Sequence, residues 1–362
     1  MNTPTHQLHA LGQRLWLDNI SRPLLRSGTL ARYIADLSIT GLTSNPTIFE
    51  KAIGDGDAYD ATIRSLNAAG LSGEALFFEL ALEDLTEAAE LFTPIFEASD
   101  GADGWVSLEV SPLLADNTAH TIQAASQLFS HAELKNLFIK IPGTPEGVRA
   151  IEEVIFDGVP VNVTLLFSRE HYLAAAEAYM RGLERRQAAG LSLRVESVAS
   201  LFISRWDAAV KVEIEASFHN RLGIAMAMRC YRAHHELLLS DRWQRLAAAG
   251  ARPQRLLWAS TGTKDASAPD TLYIEALAAP NTIDTVPEKT LLAFADHGRV
   301  GDVMPADGGY ADAVLEEFRR EGVDDAALAE RLQREGVDSF ATSWHALLTR
   351  IGEKCVADGA KL

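Results

Sequence analysis

The sequence predicts an α/β protein, a closed (β/α)8 barrel of the TIM type with extra helices at the N- and C-termini. Short apolar runs alternate with helical patterns along the chain, which is typical of βαβ units and a parallel sheet. Eight such units can be placed, and this number favours a closed barrel over an open doubly wound sheet. Polar residues stand in or at the end of the strands, mostly in their C-terminal halves, which is the barrel face where active sites form.

Each strand is predicted from a short apolar run, because a strand buried on both faces shows such a run over about 4–8 residues. The second run is closed by Pro46, and the fourth leads directly into a turn at Pro142-Gly143. The predicted strands cover residues 15–19, 39–45, 105–110, 136–143, 160–167, 194–201, 255–260 and 272–277.

The helices are predicted from apolar residues at helical spacing, for example Leu76, Phe77 and Leu80 in the longest segment. They cover 29–37, 58–69, 73–98, 118–132, 145–156, 169–188 and 288–296, with long helices after the sixth strand to about 238 and two or three helices outside the barrel in 309–355. We expect a single barrel domain over 1–362, with a leading helix over 1–13 and a C-terminal helical extension over roughly 300–362 packed on the barrel.

Composition excludes several classes of protein. The formal charge of -17 is spread along the 362 residues, which argues against a nucleic-acid or membrane partner held by charge. No apolar run approaches the ~20 residues that span a bilayer, and the N-terminal stretch is polar, so we predict no membrane segment and no signal peptide. The two cysteines, Cys230 and Cys355, are too few for a disulfide framework and fit a reducing cytoplasm.

Lys140 is an amine inside the apolar run Leu137-Phe138-Ile139-Lys140-Ile141. In one interpretation it snorkels from a strand end or pairs with a carboxylate. In the other it is buried so that its pKa falls from about 10.4, and the neutral amine can attack a carbonyl. The chain has eight lysines and 25 arginines, so Arg usually provides surface cations here. A lysine kept in an apolar strand therefore suggests an amine that must deprotonate, which Arg cannot do.

Motifs for nucleotides and metals are weak or missing. Gly54-Asp55-Gly56 lies in a polar loop with no strand before it, and no Walker-type phosphate loop occurs. His234-His235-Glu236 is adjacent on a helix, where neighbouring side chains point ~100° apart and do not share one ion easily. Asp18, Glu109 and Asp116 are possible ligands of a divalent cation, but a lysine beside them competes for the carboxylates. We predict no metal.

A buried amine with two carboxylates and several amides and hydroxyls suits Schiff-base chemistry on a ketose. The amine attacks the carbonyl, one carboxylic acid removes the carbinolamine oxygen, and a second carboxylate takes a proton from a substrate hydroxyl as a carbon–carbon bond breaks. The polar strand residues that support this hypothesis are Asp18, Asn45, Glu109, Lys140, Asn162, Thr164, Ser200 and Ser260.

Six stretches of the chain resemble transaldolase, in the order and spacing of that family from about residue 14 to 298. They are Leu17-Asp18, Gly41-Leu42-Thr43-Ser44-Asn45-Pro46-Thr47, Val106-Ser107-Leu108-Glu109-Val110, Phe138-Ile139-Lys140-Ile141-Pro142, Val161-Asn162-Val163-Thr164-Leu165-Leu166-Phe167-Ser168 and Ser200-Leu201-Phe202-Ile203-Ser204-Arg205. The Gly-Leu-Thr-Ser-Asn-Pro run and the long helical insertions resemble the bacterial and plant branch.

The resemblance implies a role for each site residue. Lys140 would form the Schiff base, Glu109 would act through a bound water in carbinolamine dehydration, and Asp18 would exchange a proton with the substrate. The residues that would hold the substrate are Asn45 and Asn162 on the dihydroxyacetone unit, Thr43, Thr164 and Ser200 in the pocket wall, Arg205 and Ser260 on the phosphate, and Phe202 beside them. Where the shorter branch has a second phosphate arginine, this chain offers Lys264.

The implied reaction moves dihydroxyacetone from sedoheptulose 7-phosphate to glyceraldehyde 3-phosphate, without metal or organic cofactor. Two alternatives stay open, a fructose 6-phosphate aldolase with the same fold and lysine, and a catalytically silent barrel that binds sugar phosphates. A homodimer is also open, because the apolar faces in 203–238 and 309–355 can pack on the barrel or on a second subunit.

Overall fold

Eight parallel strands form the centre of the structure, a computed structural model that describes residues 3–356. The strands are β1 (Arg14–Leu17), β2 (Ile39–Leu42), β3 (Val106–Glu109), β4 (Leu137–Pro142), β5 (Val161–Leu166), β6 (Ser197–Phe202), β7 (Arg255–Ala259) and β8 (Ile283–Val286). Their spatial order is β2-β1-β8-β7-β6-β5-β4-β3. Between the two outermost strands, the N–H of Leu42 donates to Trp105 O (3.0 Å) and the N–H of Gly104 donates to Thr40 O (3.0 Å). These bonds bring the sheet round into a barrel, so the predicted (β/α)8 fold is confirmed.

Sixteen α-helices surround the barrel in residues 3–356. They are α1 (Pro4–Leu11), α2 (Arg22–Arg26), α3 (Thr29–Leu37), α4 (Pro46–Gly54), α5 (Asp60–Ala68), α6 (Gly73–Ala98), α7 (Thr118–Ala132), α8 (Pro145–Phe156), α9 (Arg169–Ala188), α10 (Ser204–Val210), α11 (Leu222–Leu238), α12 (Asp241–Ala248), α13 (Leu272–Ala276), α14 (Glu288–His297), α15 (Ala311–Arg320) and α16 (Asp325–Val356). Two short 3-10 turns, Pro112–Leu114 and Ala216–Phe218, complete the set. The helices predicted at 29–37, 73–98, 118–132, 145–156 and 169–188 have these same bounds.

Several helices begin directly after a strand, at a residue whose side chain caps them. Asn45 Oδ1 accepts a hydrogen bond from Ile48 N at the start of α4, where Pro46 occupies the first turn. Thr144 caps α8 and Ser168 caps α9 in the same way. Such caps satisfy amide groups that the first turn leaves without a partner and fix the direction in which the chain leaves the strand. The loops that follow β2, β4 and β5 are therefore short and well defined.

The eighth strand was predicted in the wrong place. Residues 272–277 form helix α13, and the strand β8 follows at Ile283–Val286. The apolar run that suggested a strand forms a short helix instead, in which Tyr273 and Ile274 are buried. The real strand was hidden because two of its four residues are polar, Asp284 and Thr285, although every one of the four is buried.

The C-terminal helices span 311–356, close to the predicted range 309–355, but the longer one is not confined to the outside of the barrel. Helix α16 crosses its carboxyl end, where Gln333 Nε2 donates to the carbonyls of Gly143 and Leu165, each at 3.0 Å. The 3.6-residue period identifies a helix with a buried face, but it does not say which end of the barrel that face covers. Residues 1–2 of the predicted leading helix and 357–362 of the predicted extension lie outside the described residues.

Candidate active site

Three of the predicted site residues lie side by side at one level of the barrel. Glu109 on β3 is the register partner of Lys140 on β4, and Lys140 is the register partner of Asn162 on β5. Residues paired in this way across parallel strands point to the same side of the sheet. The sequence places them at the same depth because each stands near the middle or end of a short apolar run, and the barrel register aligns these runs.

Lys140 is the amine at the centre of this level, and only 5% of its surface is exposed. Its Nζ donates a hydrogen bond to the carbonyl oxygen of Ser44 at 2.9 Å. The same atom lies 3.2 Å from Oε2 of Glu109. A buried ammonium is costly unless it is paired and hydrogen-bonded, and Lys140 has both kinds of partner. Each of the two interpretations of the sequence is therefore met in part, because Lys140 is buried and is also paired with a carboxylate.

Glu109 is buried as deeply, with 3% of its surface exposed. Burial raises the pKa of Glu109, and the positive charge of Lys140 opposes this rise. By distance, Lys140 and Glu109 form an ion pair. Within residues 3–356, neither carboxylate oxygen of Glu109 has a partner whose geometry meets that of a hydrogen bond. Buried carboxylate oxygens normally have such partners. Glu109 therefore has a raised pKa, and both of its carboxylate oxygens can still accept a hydrogen bond.

Asp18 is the second carboxyl group and follows β1 directly. Thr43 Oγ1 donates a hydrogen bond to its Oδ1 at 2.9 Å, and the same Thr43 hydroxyl lies 2.6 Å from Thr285 Oγ1. Burial raises the pKa of Asp18, whereas the charge of Lys140 and the Thr43 hydrogen bond lower it. The charge of Lys140 thus acts on both Asp18 and Glu109. Two acids beside one amine are what proton transfer around a Schiff base requires.

Asn162 lies below the open part of the site. Its Oδ1 accepts a hydrogen bond from Ser200 Oγ at 2.6 Å, and its Nδ2 donates to Ser107 Oγ at 3.3 Å. Thr164, two residues further along β5, is fully buried and its Oγ1 has no hydrogen-bond partner among the described residues. Leu165 next to it has a φ of +57°, and the β5–β6 register shifts there. A bulge at the carboxyl end of a strand redirects side chains, here toward the open site.

A cavity of about 340 Å³ opens at the carboxyl end of the barrel, and we call it the mouth. The predicted site residues that line the mouth are Asp18, Thr43, Asn45, Lys140, Thr164, Ser200, Phe202, Arg205, Ser260 and Lys264. Glu109 and Asn162 do not line the mouth. Each contacts a residue that does, because Glu109 pairs with Lys140 and Asn162 is hydrogen-bonded to Ser200. The residues that sequence reasoning missed are Thr47, Ile48, Lys51, Ala259, Gly262, Thr285, Pro287 and Phe340.

Two cations stand on the β6–β7 side of the mouth. Burial lowers the pKa of Arg205, whose guanidinium lies 5.2 Å from the ring centre of Phe202. Lys264 is an exposed residue that lines the mouth, and desolvation and the charge of Arg205 lower its pKa. Two like charges facing one cavity favour an anion between them. Ser260 adds a hydroxyl from a backbone held at φ +55°, 3.0 Å from Ser204 Oγ.

Some missed residues left a signal in the sequence and others left none. Thr285 belongs to the strand that was placed wrongly, and its neighbour in the mouth, Thr43, was predicted. Ser44 contributes a backbone carbonyl, which no side-chain pattern reveals. Phe340 is about 200 residues from Lys140 and stands on a helix that was expected outside the barrel.

No group of three or more His, Cys, Asp and Glu side chains that could hold a metal ion occurs within residues 3–356. His234 is buried, and its Nδ1 lies 2.8 Å from Tyr172 Oη, so it has a structural partner. Of the helices that the structure describes, none is long and apolar enough to span a membrane.

The barrel and its site define a class of protein. A (β/α)8 barrel that buries a lysine amine beside two carboxyl groups, under an open cavity rimmed by cations, is equipped to form a Schiff base with a phosphorylated carbonyl compound.

Comparison with known proteins identifies the family within this class. The chain belongs to the transaldolase/fructose-6-phosphate aldolase family, whose model matches residues 15–351. It is 45% identical to a transaldolase from Thermobifida fusca, over 99% of this chain and 100% of that protein. It is 44% identical to a transaldolase from Parafrankia sp., over 98% of each chain, and 45% identical to one from Thiobacillus denitrificans, over 96% of this chain and 99% of that protein.

Proposed function

We propose that this chain is a transaldolase. It moves a dihydroxyacetone unit from sedoheptulose 7-phosphate to glyceraldehyde 3-phosphate, and the products are erythrose 4-phosphate and fructose 6-phosphate. The observation that carries the proposal is the buried Lys140 amine, 3.2 Å from Glu109 and coupled by charge to Asp18. The name of the relatives at 44–45% identity supports the same reaction.

The first step joins the donor ketose to Lys140. The ammonium passes a proton to Glu109, the nearest carboxylate, and the neutral amine attacks the C2 carbonyl. The carbinolamine hydroxyl then takes a proton that Glu109 supplies, through a water, and leaves as water. A carboxyl group whose pKa is raised by burial suits this role because it binds a proton more tightly than a solvated carboxylate and can still release it.

The second step breaks the C3–C4 bond. Asp18 takes the proton of the C4 hydroxyl, the C4 oxygen becomes the aldehyde of the departing sugar, and the bonding electrons move into the iminium, which becomes an enamine. The acceptor aldehyde then enters, the enamine carbon attacks it, and Asp18 returns the proton to the new hydroxyl. No metal or organic cofactor is needed, because the protonated Schiff base is the electron sink.

Polar side chains around Lys140 hold the sugar. We assign the dihydroxyacetone unit to Asn45 and Asn162, and the remaining pocket wall to Thr43, Thr164 and Ser200. The Oγ1 of Thr164 is buried without a hydrogen-bond partner among the described residues, so it is a donor available to a substrate hydroxyl. The substrate phosphate is assigned to Arg205, Ser260 and Lys264, with Phe202 shaping that side. These cations give the local positive field that a chain with a net charge of -17 otherwise lacks.

The same family contains fructose 6-phosphate aldolases, which release free dihydroxyacetone. Transfer is favoured by the identity to full-length transaldolases and by the pairing of Glu109 with Lys140. The test compares fructose 6-phosphate alone with fructose 6-phosphate plus erythrose 4-phosphate. A transaldolase produces sedoheptulose 7-phosphate in the mixture and releases little dihydroxyacetone alone, whereas rapid release without acceptor contradicts the proposal.

Chemical trapping distinguishes a transaldolase from a barrel that only binds sugar phosphates. Borohydride added with fructose 6-phosphate should reduce the iminium and leave a stable three-carbon adduct on Lys140, detectable by peptide mass analysis. A binder gains no adduct. A cytoplasmic location, one barrel domain over residues 1–362 and a homodimer stay predictions, and light scattering of the purified chain tests the last.

A further inference from the structure

The two cations assigned to the substrate phosphate are supported by different kinds of structure. Arg205 lies in helix α10, and its Cζ is 5.2 Å from the ring centre of Phe202 and 6.0 Å from that of Phe340. Lys264 lies in residues 260–271, which contain neither helix nor strand and which we call the β7–α13 loop. The place of Lys264 in the wall of the mouth therefore depends on the contacts that this loop makes with the rest of the protein.

A restraint on the loop is needed because the two cations repel each other. Desolvation and the positive charge of Arg205 lower the pKa of Lys264, so its ammonium is kept near a like charge at an energetic cost. Lys264 is also exposed, and no residue within 3–356 forms a hydrogen bond or an ion pair with its ammonium. If the loop were free to move, Lys264 would lower its energy by turning away from Arg205 into solvent.

Asp265, the residue after Lys264, provides such a restraint. Its Oδ1 accepts hydrogen bonds from Ser267 N at 2.9 Å and from Ser267 Oγ at 2.6 Å, which closes a turn within the loop. The same oxygen lies 3.0 Å from Lys211 Nζ, and Oδ2 accepts a hydrogen bond from Asn220 Nδ2 at 3.3 Å. The Ser267 and Lys211 contacts lower the pKa of Asp265, so its carboxylate is ionised at neutral pH. Hydrogen bonds to an ionised carboxylate are the stronger kind.

The partners of Asp265 belong to the segment that carries the other phosphate cation. Lys211 directly follows helix α10, which contains Arg205, and Asn220 lies between α10 and α11. The carboxylate of Asp265 thus connects the loop of Lys264 to the chain that follows Arg205.

The loop is also bonded near its two ends. Thr261 Oγ1 donates to a carboxylate of β8 at 2.7 Å, and Asp270 Oδ1 lies 2.9 Å from His297 Nε2. Between these ends, where Lys264 stands, Asp265 is the residue that bonds the loop to another segment. It is therefore the contact that bears most directly on the position of the lysine.

We propose that Asp265 is a positioning residue, which holds the β7–α13 loop so that Lys264 stays beside Arg205 and both cations bind the substrate phosphate. This inference rests on the proposed function, to which the phosphate site belongs. A direct effect of the Asp265 charge would have the opposite sign. A carboxylate repels a phosphate, so its removal alone would tighten phosphate binding, whereas loss of positioning weakens it.

Asp265→Ala is compared with the unmodified protein on substrates with and without a phosphate. KM for fructose 6-phosphate should rise about two- to tenfold and by no more than in Lys264→Ala, because Asp265 acts through that lysine. kcat should change by a smaller factor than KM, and KM for fructose should stay unchanged. The dissociation constant for inorganic phosphate, measured by isothermal titration calorimetry, should rise with KM for fructose 6-phosphate.

The double variant Asp265→Ala/Lys264→Ala shows whether the effect passes through Lys264. Once this lysine is absent, the removal of Asp265 should weaken phosphate binding no further. Asp265→Asn is a milder variant, because its amide oxygen can still accept from Ser267 but no longer attracts the charge of Lys211, so KM should rise less than with alanine. Asp270→Ala is the matched control, since it removes an exposed carboxylate from the same loop and should leave KM unchanged.

The outcomes distinguish this inference from the function on which it rests. If borohydride added with fructose 6-phosphate traps no adduct on Lys140 of the unmodified protein, the proposed function is wrong. If the adduct forms and both Asp265 variants bind phosphate as tightly as before or more tightly, the inference is wrong. It is also wrong if Asp265→Ala weakens binding equally with and without Lys264, or if Asp270→Ala weakens it as much, because a general loosening of the loop would then explain the loss.

Discussion

The charged atoms of Lys140 and Glu109 lie 3.2 Å apart, and the two residues are direct register partners on neighbouring strands. The contact therefore comes from the barrel framework and not from a loop. Burial alone favours a neutral lysine, whereas an adjacent carboxylate favours the ammonium. With both present, the proton can pass between the two groups over a short distance. The pair supplies the neutral amine and the acid that Schiff-base formation needs.

Replacing the amine by a permanent cation tests this pair. Lys140→Arg should abolish transfer, because the guanidinium cannot deprotonate and cannot attack a carbonyl. Circular dichroism and the midpoint of thermal unfolding should stay near those of the unmodified protein, and borohydride should trap nothing. Lys135→Arg, at an exposed position five residues earlier, is the matched control and should keep full activity. Measurable transfer by Lys140→Arg would show that another nucleophile is used.

The acid partner is tested by Glu109→Gln, which keeps the size of the side chain and removes the proton exchange. General acid–base catalysis contributes about 10²–10⁴-fold, so kcat should fall by at least about a hundredfold. The borohydride-trapped adduct should form more slowly by a similar factor, because dehydration of the carbinolamine precedes the iminium. Single-turnover trapping measures this rate directly. An unchanged trapping rate would place Glu109 outside the dehydration step.

The sequence predicts the parts of this site that depend on side chains in recognisable runs. Lys140 stands out because an amine is unusual within an apolar run such as Phe138-Ile139-Lys140-Ile141. The barrel then brings Glu109 beside it, since the strands adjoin and their apolar runs align. The eighth strand was not recognised, because the polar residues Asp284 and Thr285 make this buried strand resemble a loop in sequence.

Contacts over long sequence distances could not be predicted. The Ser44 carbonyl that bonds Lys140 has no side-chain signal, and neither have the carbonyls of Gly143 and Leu165 that Gln333 bonds where α16 crosses the barrel. The bulge itself, at Leu165 with φ +57°, has no glycine to mark it. Periodicity finds helices and strands, but only the packed structure shows which of their faces meet.

The hydrogen bond from Thr43 to Asp18 gives a pH prediction with a defined sign. This bond lowers the pKa of Asp18, so Thr43→Val should raise it. Without this bond to the ionised carboxylate, the acid limb of kcat/KM should move to higher pH. Thr47→Val, in the same wall but bonded to Ser343, is the control and should leave the limb in place. A limb that does not move with Thr43→Val would mean that Asp18 does not titrate in the rate.

The assignment of Arg205 and Lys264 to the substrate phosphate is tested by variants that remove the positive charge and by a variant that keeps it. Arg205→Ala should raise KM for fructose 6-phosphate about 10- to 100-fold, since a hydrogen bond to a charged group is worth about 1.5–3 kcal/mol. Lys264→Ala should raise KM less, because Lys264 is exposed and its ammonium acts as a point charge. Lys264→Arg should restore binding. Fructose without phosphate is the control substrate, and an equal loss with it would assign these residues a role other than phosphate binding.

Asp284 gives a prediction on stability instead of activity. Its carboxyl group is fully buried on β8, Thr261 Oγ1 donates to Oδ1 at 2.7 Å, and Oδ2 has no partner among the described residues. Burial raises its pKa from 3.8 to about 7, so the folded protein keeps this proton where the unfolded chain has lost it. The stabilisation from this group is complete below about pH 4 and is lost as the pH rises to about 7.

Asp284→Asn removes this titration while its amide oxygen can still accept from Thr261. The difference in unfolding free energy between variant and unmodified protein should grow in favour of the variant between pH 4 and pH 7, by at most about 1.4 kcal/mol per pH unit. Urea unfolding at several pH values measures it. Asp36→Asn, at an exposed position on α3, is the surface control measured in parallel. A flat difference for Asp284→Asn would mean that Asp284 titrates alike in the folded and unfolded chain, despite its burial.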